Sequence, residues 1–338
     1  MTKDSGSTAT SAPPALAPVG LPGAGLLAVL ALGWLVAMLW SAQATISAGA
    51  GGLAITAAAY SLPGVISAVL VAGAALGLVA VAGLGRRFPA LPVERAGLRS
   101  AVAFGTGLAV GVAGASTIVV AYGTGTASMV LAGTVAAAGT VGGAIAAVRG
   151  QHLVASVVAA ALAVFAVGFL LNLFKDPLLS LYGLGDTEAS RVSAYGWFAA
   201  TAAIASGLAA GLVAFGFLRR AERRGEAAQT GDAAPAAGTA RTGDSDGGGL
   251  RWPAYLAAGA GPGLLLLVAE VITRVGGARV LTLAGEVSDN DRTAQAWLDG
   301  SRINYALVVL FVGAIVATIA FGRTLPSRPH TDEADAEG

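Results

Sequence analysis

Long uncharged runs alternate with short charged ones along this chain, and the alternation predicts helices that cross a bilayer. No charged residue lies between Asp4 and Arg86, or between Arg99 and Arg149. A spanning helix needs about 20 apolar residues. The first run therefore holds two spans, near 22–42 and 62–84. The second is divided by Gly123-Thr124-Gly125-Thr126 into a hairpin of spans near 100–121 and 127–148. Four more follow, near 153–174, 194–218, 253–275 and 303–322. The fold class expected is all-α: a polytopic integral membrane helix bundle of about eight spans, one domain over 21–323.

The polar stretches between the spans set the orientation. Arg86, Arg87, Arg95 and Arg99 crowd one connection, Arg149 another, and Arg219, Arg220, Arg223 and Arg224 a third, while Arg323 follows the last span. Basic connections stay on the cytoplasmic side. With both termini cytoplasmic, every basic segment falls inside and every weakly charged one outside. That agreement supports the count of eight. Residues 1–20, 225–250 and 324–338 are rich in small and polar residues, with acids closing the chain. They lack the apolar bulk to bury a core, so they read as a disordered tail, a disordered cytoplasmic loop and a disordered acidic tail. The uncharged, Gly-containing segment 43–61 reads as an outer loop that either stays outside or dips into the interface. Ala42-Gln43-Ala44 resembles a signal cleavage site, but the preceding apolar run is longer than a signal h-region of about 7–15 residues. Asp186 is the expected cap of the sixth span. Ser288 with Asp291 matches a capping box, and Gly300 is the expected stop of a short amphipathic surface helix before the eighth span.

Composition sharpens this picture. The chain is 55% hydrophobic and 12% charged, against about 25% charged in soluble domains. Its apolar residues are mainly Ala, Val, Leu and Gly, which suit helices packed closely in lipid. The expected setting is a cytoplasmic membrane, by composition a bacterial one. A net charge of +1 gives no field to attract nucleic acid, so the bilayer is the main partner, with a second copy or another membrane protein as a candidate. Cysteine is absent, which excludes disulfides and thiolate chemistry. The two histidines, His152 and His330, stand in a tight turn and a polar tail. They offer neither a metal site nor a base for nucleophilic catalysis. No phosphate-cradling loop is present. The chain is therefore not expected to be an enzyme, and no cofactor is implied.

One stretch departs from a plain anchor. Gly261-Pro262-Gly263 interrupts the seventh span with a missing backbone donor and two flexible residues, an expected helix break. Glu270 and Arg274 follow, four apart and so on one helical face. An ionisable residue in a membrane segment marks a candidate functional site. Glu270 also lies near the outer end of its span, where an interfacial ion pair would be purely structural. Asn172 and Asn304 end and begin their spans on the same side and are candidate polar neighbours. Paired glycines four apart recur at Gly73/Gly77, Gly107/Gly111, Gly139/Gly143, Gly207/Gly211 and Gly259/Gly263, and predict close helix contacts. Two function classes fit. The broken span and its ion pair favour a small transporter or permease-like protein. The alternative is a non-catalytic membrane subunit or scaffold, favoured by the scarcity of polar groups at mid-membrane. A water-accessible cavity beside Glu270 separates the first from the second.

Overall fold

The computed structural model describes residues 21–47, 52–87, 96–148, 150–231, 252–283 and 289–324. Among these the chain is helical, with short turns and no strand. The helices are α1 (Leu21–Ser47), α2 (Gly52–Arg87), α3 (Ala96–Tyr122), α4 (Thr126–Ala146), α5 (Gln151–Leu173), α6 (Lys175–Leu181), α7 (Glu188–Gly231), α8 (Trp252–Leu283) and α9 (Asp289–Gly322). All but α6 are long and apolar enough to cross a membrane, which gives eight. The protein is a multi-pass helix bundle of the expected class.

Its helices run past the sequence-based limits wherever helix-forming residues continue. α2 begins at Gly52 rather than near 62, so most of the expected outer loop 43–61 is helix. Ala, Leu and Ile dominate Leu53–Ala59, and Pro63 lies inside the helix, which continues through it. α7 extends to Gly231, so the start of the expected disordered loop 225–250 is helical. Its sequence there, Ala-Glu-Arg-Arg-Gly-Glu-Ala-Ala-Gln, is made mostly of strong helix formers. Gly300 does not stop a surface helix: α9 is continuous from Asp289 to Gly322. A single interior Gly costs about 1 kcal/mol relative to Ala, too little to end a helix favoured on both sides. Thr187 rather than Asp186 caps α7, its Oγ1 accepting from the Ser190 amide at 3.3 Å. Between α5 and α7 the outer connection folds into α6, whose Leu179 is buried. The tail 1–20, Arg149, the loop beyond Gly231, Ser288 and the acidic residues of the C-terminal tail lie outside the described residues.

α2 is the most buried span. It packs against α1, α3, α4, α5 and α8, and its Ile66, Val69 and Leu70 are fully enclosed. A second core joins α5, α7, α8 and α9 around Tyr255 and Val309. The glycine pairs sit where these helices meet. A Cβ at Gly107 or Gly143 would strike the opposite backbone across α3 and α4, and one at Gly73 would strike α4 at Gly139. Gly313 of α9 touches the backbones of both Gly259 and Gly207, and so joins α7, α8 and α9. Arg99 on α3 donates to the carbonyls of Ala147 and Val148 just past α4, satisfying groups left open where that helix ends. Large apolar side chains such as Val29, Trp40, Val120, Leu212 and Phe311 point outward, as a lipid-facing surface requires.

Candidate functional site

Glu270 stands on the half of α8 away from the arginine-rich ends, 18 residues after Trp252 and so about 27 Å along the helix. Its side chain is only 6% exposed. A carboxylate withdrawn from water must be paired to stay charged, and two guanidinium groups meet it. Arg274 Nε donates to Oε1 at 3.0 Å, one helical turn on. Arg302 of α9 brings Nη1 to 4.0 Å from Oε2. The arginine side chains are 45% and 29% exposed. The acid is therefore buried while its partners reach outward, a different arrangement from an ion pair lying wholly at the interface.

Glu270 lines a cleft of about 460 Å³. α1 packs on α2 and α5, while α9 packs on α7 and α8. The cleft lies between these two groups. Trp34 and Met38 of α1 and Pro63, Gly64 and Ser67 of α2 form one wall; Ala199 of α7 and Ser301, Arg302 and Tyr305 of α9 form the other. Phe165 of α5 and Leu266, Ala269 and Glu270 of α8 lie between. Trp34 is held by stacking on Phe165 at 5.5 Å and by the edge of Phe169 at 6.1 Å. Tyr305 donates its hydroxyl to Ser206 of α7 at 2.8 Å, tying the far wall together. Ser67 donates to the Pro63 carbonyl at 2.8 Å, the group one turn back in a helix that its proline has already perturbed.

Next to the cleft lies a small space of about 10 Å³, lined by Val71, Ala161, Val164, Pro262 and Leu265 and by Ser67, Phe165 and Leu266, which the cleft shares. Further down α8, Tyr255 is fully buried, stacked on Phe321 at 4.6 Å and tilted against Phe215 at 5.8 Å. Its hydroxyl donates to Glu222 of α7 at 2.6 Å, and Arg219 Nη1 lies 3.4 Å from the same oxygen. Glu222 is a second buried acid, so Glu270 is not alone within the bundle. Its sequence surroundings, Arg-Arg-Ala-Glu-Arg-Arg, look like a solvated helix end and hide that burial. Tyr255, 33 residues away, carries no local sign of the pairing. The available signal was spacing: Glu222 falls four residues after Leu218, on the helical face that carries α7's apolar stripe.

Gly261-Pro262-Gly263 does not break α8, which continues through all three residues. Pro262 is enclosed. A Cβ on Gly261 would strike Val157 of α5, and one on Gly263 would lie 2.5 Å from Leu310 of α9. The glycines are absent side chains at two helix contacts, and the neighbouring helices hold the proline turn in shape. Asn172 and Asn304 are both exposed and neither lines the cleft. The polar groups that do join Glu270 at the cleft are Arg302, Ser301, Tyr305 and Ser67. In comparisons with known proteins, the chain matches no family model, no curated protein and no solved structure.

Proposed function

We propose that this protein is a small permease-like membrane protein, and that the cleft beside Glu270 is its solute site. The observation that carries the reading is a buried, charge-paired carboxylate on the wall of a cavity between helices. A purely structural ion pair needs no cavity. A membrane carrier needs a site reached from one side at a time. In this reading the Tyr255–Glu222–Arg219 cluster is the barrier such a site requires on its far side. By the distribution of basic residues, the cleft lies toward the outer side and the Tyr255 cluster toward the cytoplasm.

The test uses Glu270→Gln and Arg274→Gln, singly and together. Protein level in the membrane is read beside the growth of cells that depend on the protein. The proposal expects Glu270→Gln to leave abundance within about twofold and to abolish the growth phenotype. Loss of abundance in each single variant, with recovery in the double variant, would make the pair structural and return the scaffold reading.

A further inference from the structure

Resting on the reading of the cleft as a solute site, we propose that its ligand is an uncharged single-chain amphiphile whose head donates a hydrogen bond, in the simplest case a hydroxyl group. Glu270 is buried and lines the cleft. Its Oε1 accepts from Arg274 at 3.0 Å. Among the described residues its Oε2 is met by Arg302 alone, at 4.0 Å and so beyond hydrogen-bond range. One oxygen of a buried carboxylate therefore lacks a donor, a costly state in a protein interior. A donor carried in by a ligand relieves it.

Two hydroxyl groups on the walls make the same demand. Ser67 gives its hydrogen to the Pro63 carbonyl, and Tyr305 gives its own to Ser206, each at 2.8 Å. What both can still offer is a lone pair. Ser301 and Arg302 also line the cleft, and each makes a further interaction; the ligand needs no donor from either. Glu270, Ser67 and Tyr305 thus present acceptors, which only an O–H or N–H can satisfy.

Charge then narrows the head. Arg274 already balances Glu270 at hydrogen-bonding distance, so a cationic head would compete with a bonded guanidinium. An anionic head would bring acceptors to a wall of acceptors, in surroundings where water screens poorly. A neutral donor meets neither cost. Elsewhere the walls are Trp34, Met38, Phe165 and Leu266, which fit an apolar body. A volume of about 460 Å³ lies within the range of small-molecule sites, roughly 300–1,000 Å³, and favours one chain over a two-chain lipid.

The experiment measures tryptophan quenching in the full-length protein in zwitterionic nanodiscs, with the part lost in Trp34→Phe taken as the cleft signal. The probes are 12-bromododecan-1-ol, its methyl ether, 12-bromododecylamine and 12-bromododecanoate, compared at matched mole fractions in the disc. The expected result is a saturable cleft signal with the alcohol, and half-saturation about tenfold higher with each of the other three. In Glu270→Gln the advantage of the alcohol over the ether shrinks at least threefold, a ratio that does not depend on how much of the variant is folded. The probe series in the parent protein stands by itself if the variant fails to fold. No saturable signal with the alcohol, another probe binding as tightly, or an unchanged alcohol-to-ether ratio in Glu270→Gln would overturn the proposal. Alcohol preference together with normal growth of Glu270→Gln cells would sink the permease reading and leave the ligand class standing. Loss of that growth with no alcohol preference would do the opposite.

Discussion

At the scale of single residues, two buried carboxylates are each met by arginine, and Glu222 by a tyrosine hydroxyl as well. Glu270 is paired with arginines that retain contact with solvent, so removing its charge leaves donors able to turn toward water. Glu222 is bound by the hydroxyl of a fully buried tyrosine. Glu270→Gln is therefore expected to cost about 1–3 kcal/mol, toward the lower end. Tyr255→Phe deletes a hydrogen bond to a charged acceptor and is expected to cost about 1.5–3 kcal/mol. Thermal unfolding of the detergent-solubilised variants checks both, and a Tyr255→Phe variant as stable as the parent would contradict the buried hydrogen bond. Glu270 and Arg274 could be read from the sequence because i,i+4 spacing is local. Arg302 and Glu222 could not be assigned their partners, since those contacts join different helices and depend on how the helices cross.

Among the elements, glycine has two opposite roles that the sequence alone does not separate. Gly313 lies against the backbones of α7 and α8, with no space for a methyl group. Gly300 lies inside α9, exposed, with nothing near the position of a Cβ. Gly313→Ala is expected to destabilise by roughly 1–3 kcal/mol, through forced separation of packed helices. Gly300→Ala is expected to stabilise by up to about 1 kcal/mol, by relieving the entropy cost of a helical glycine. Opposite shifts in unfolding temperature for the two variants check this assignment. The glycine spacings already pointed to close contacts, and those contacts are present. What spacing could not reveal was that Gly300 would be absorbed into a helix, or that Pro262 would sit in an unbroken one. Neighbouring helices decide both outcomes, by filling the space around a flexible turn.

For the whole molecule, the alternation of charged and uncharged stretches was enough to give eight spans and their order, because burying charge in lipid is costly at every position. The cleft was not legible: it is a space between helices far apart in the chain, lined by residues that individually look like ordinary membrane positions. The orientation expected from where the arginines fall has its own test. Single substitutions Ser288→Cys and Ala228→Cys, in a chain with no native cysteine, are expected to react with an impermeant thiol reagent from the outside and the inside respectively. Reaction of both from one side would overturn the topology.

The proposed function requires a cleft reached from one side alone, and Ser67 lines it. The decisive measurement is the reaction of Ser67→Cys with an impermeant thiol reagent, applied separately to intact cells and to inverted membrane vesicles, with and without Tyr255→Phe. The account predicts modification from the outside alone in the parent background. It predicts slower outside and measurable inside modification once Tyr255 no longer holds Glu222. Failure to react from outside, or the same one-sided reaction in both backgrounds, would contradict it.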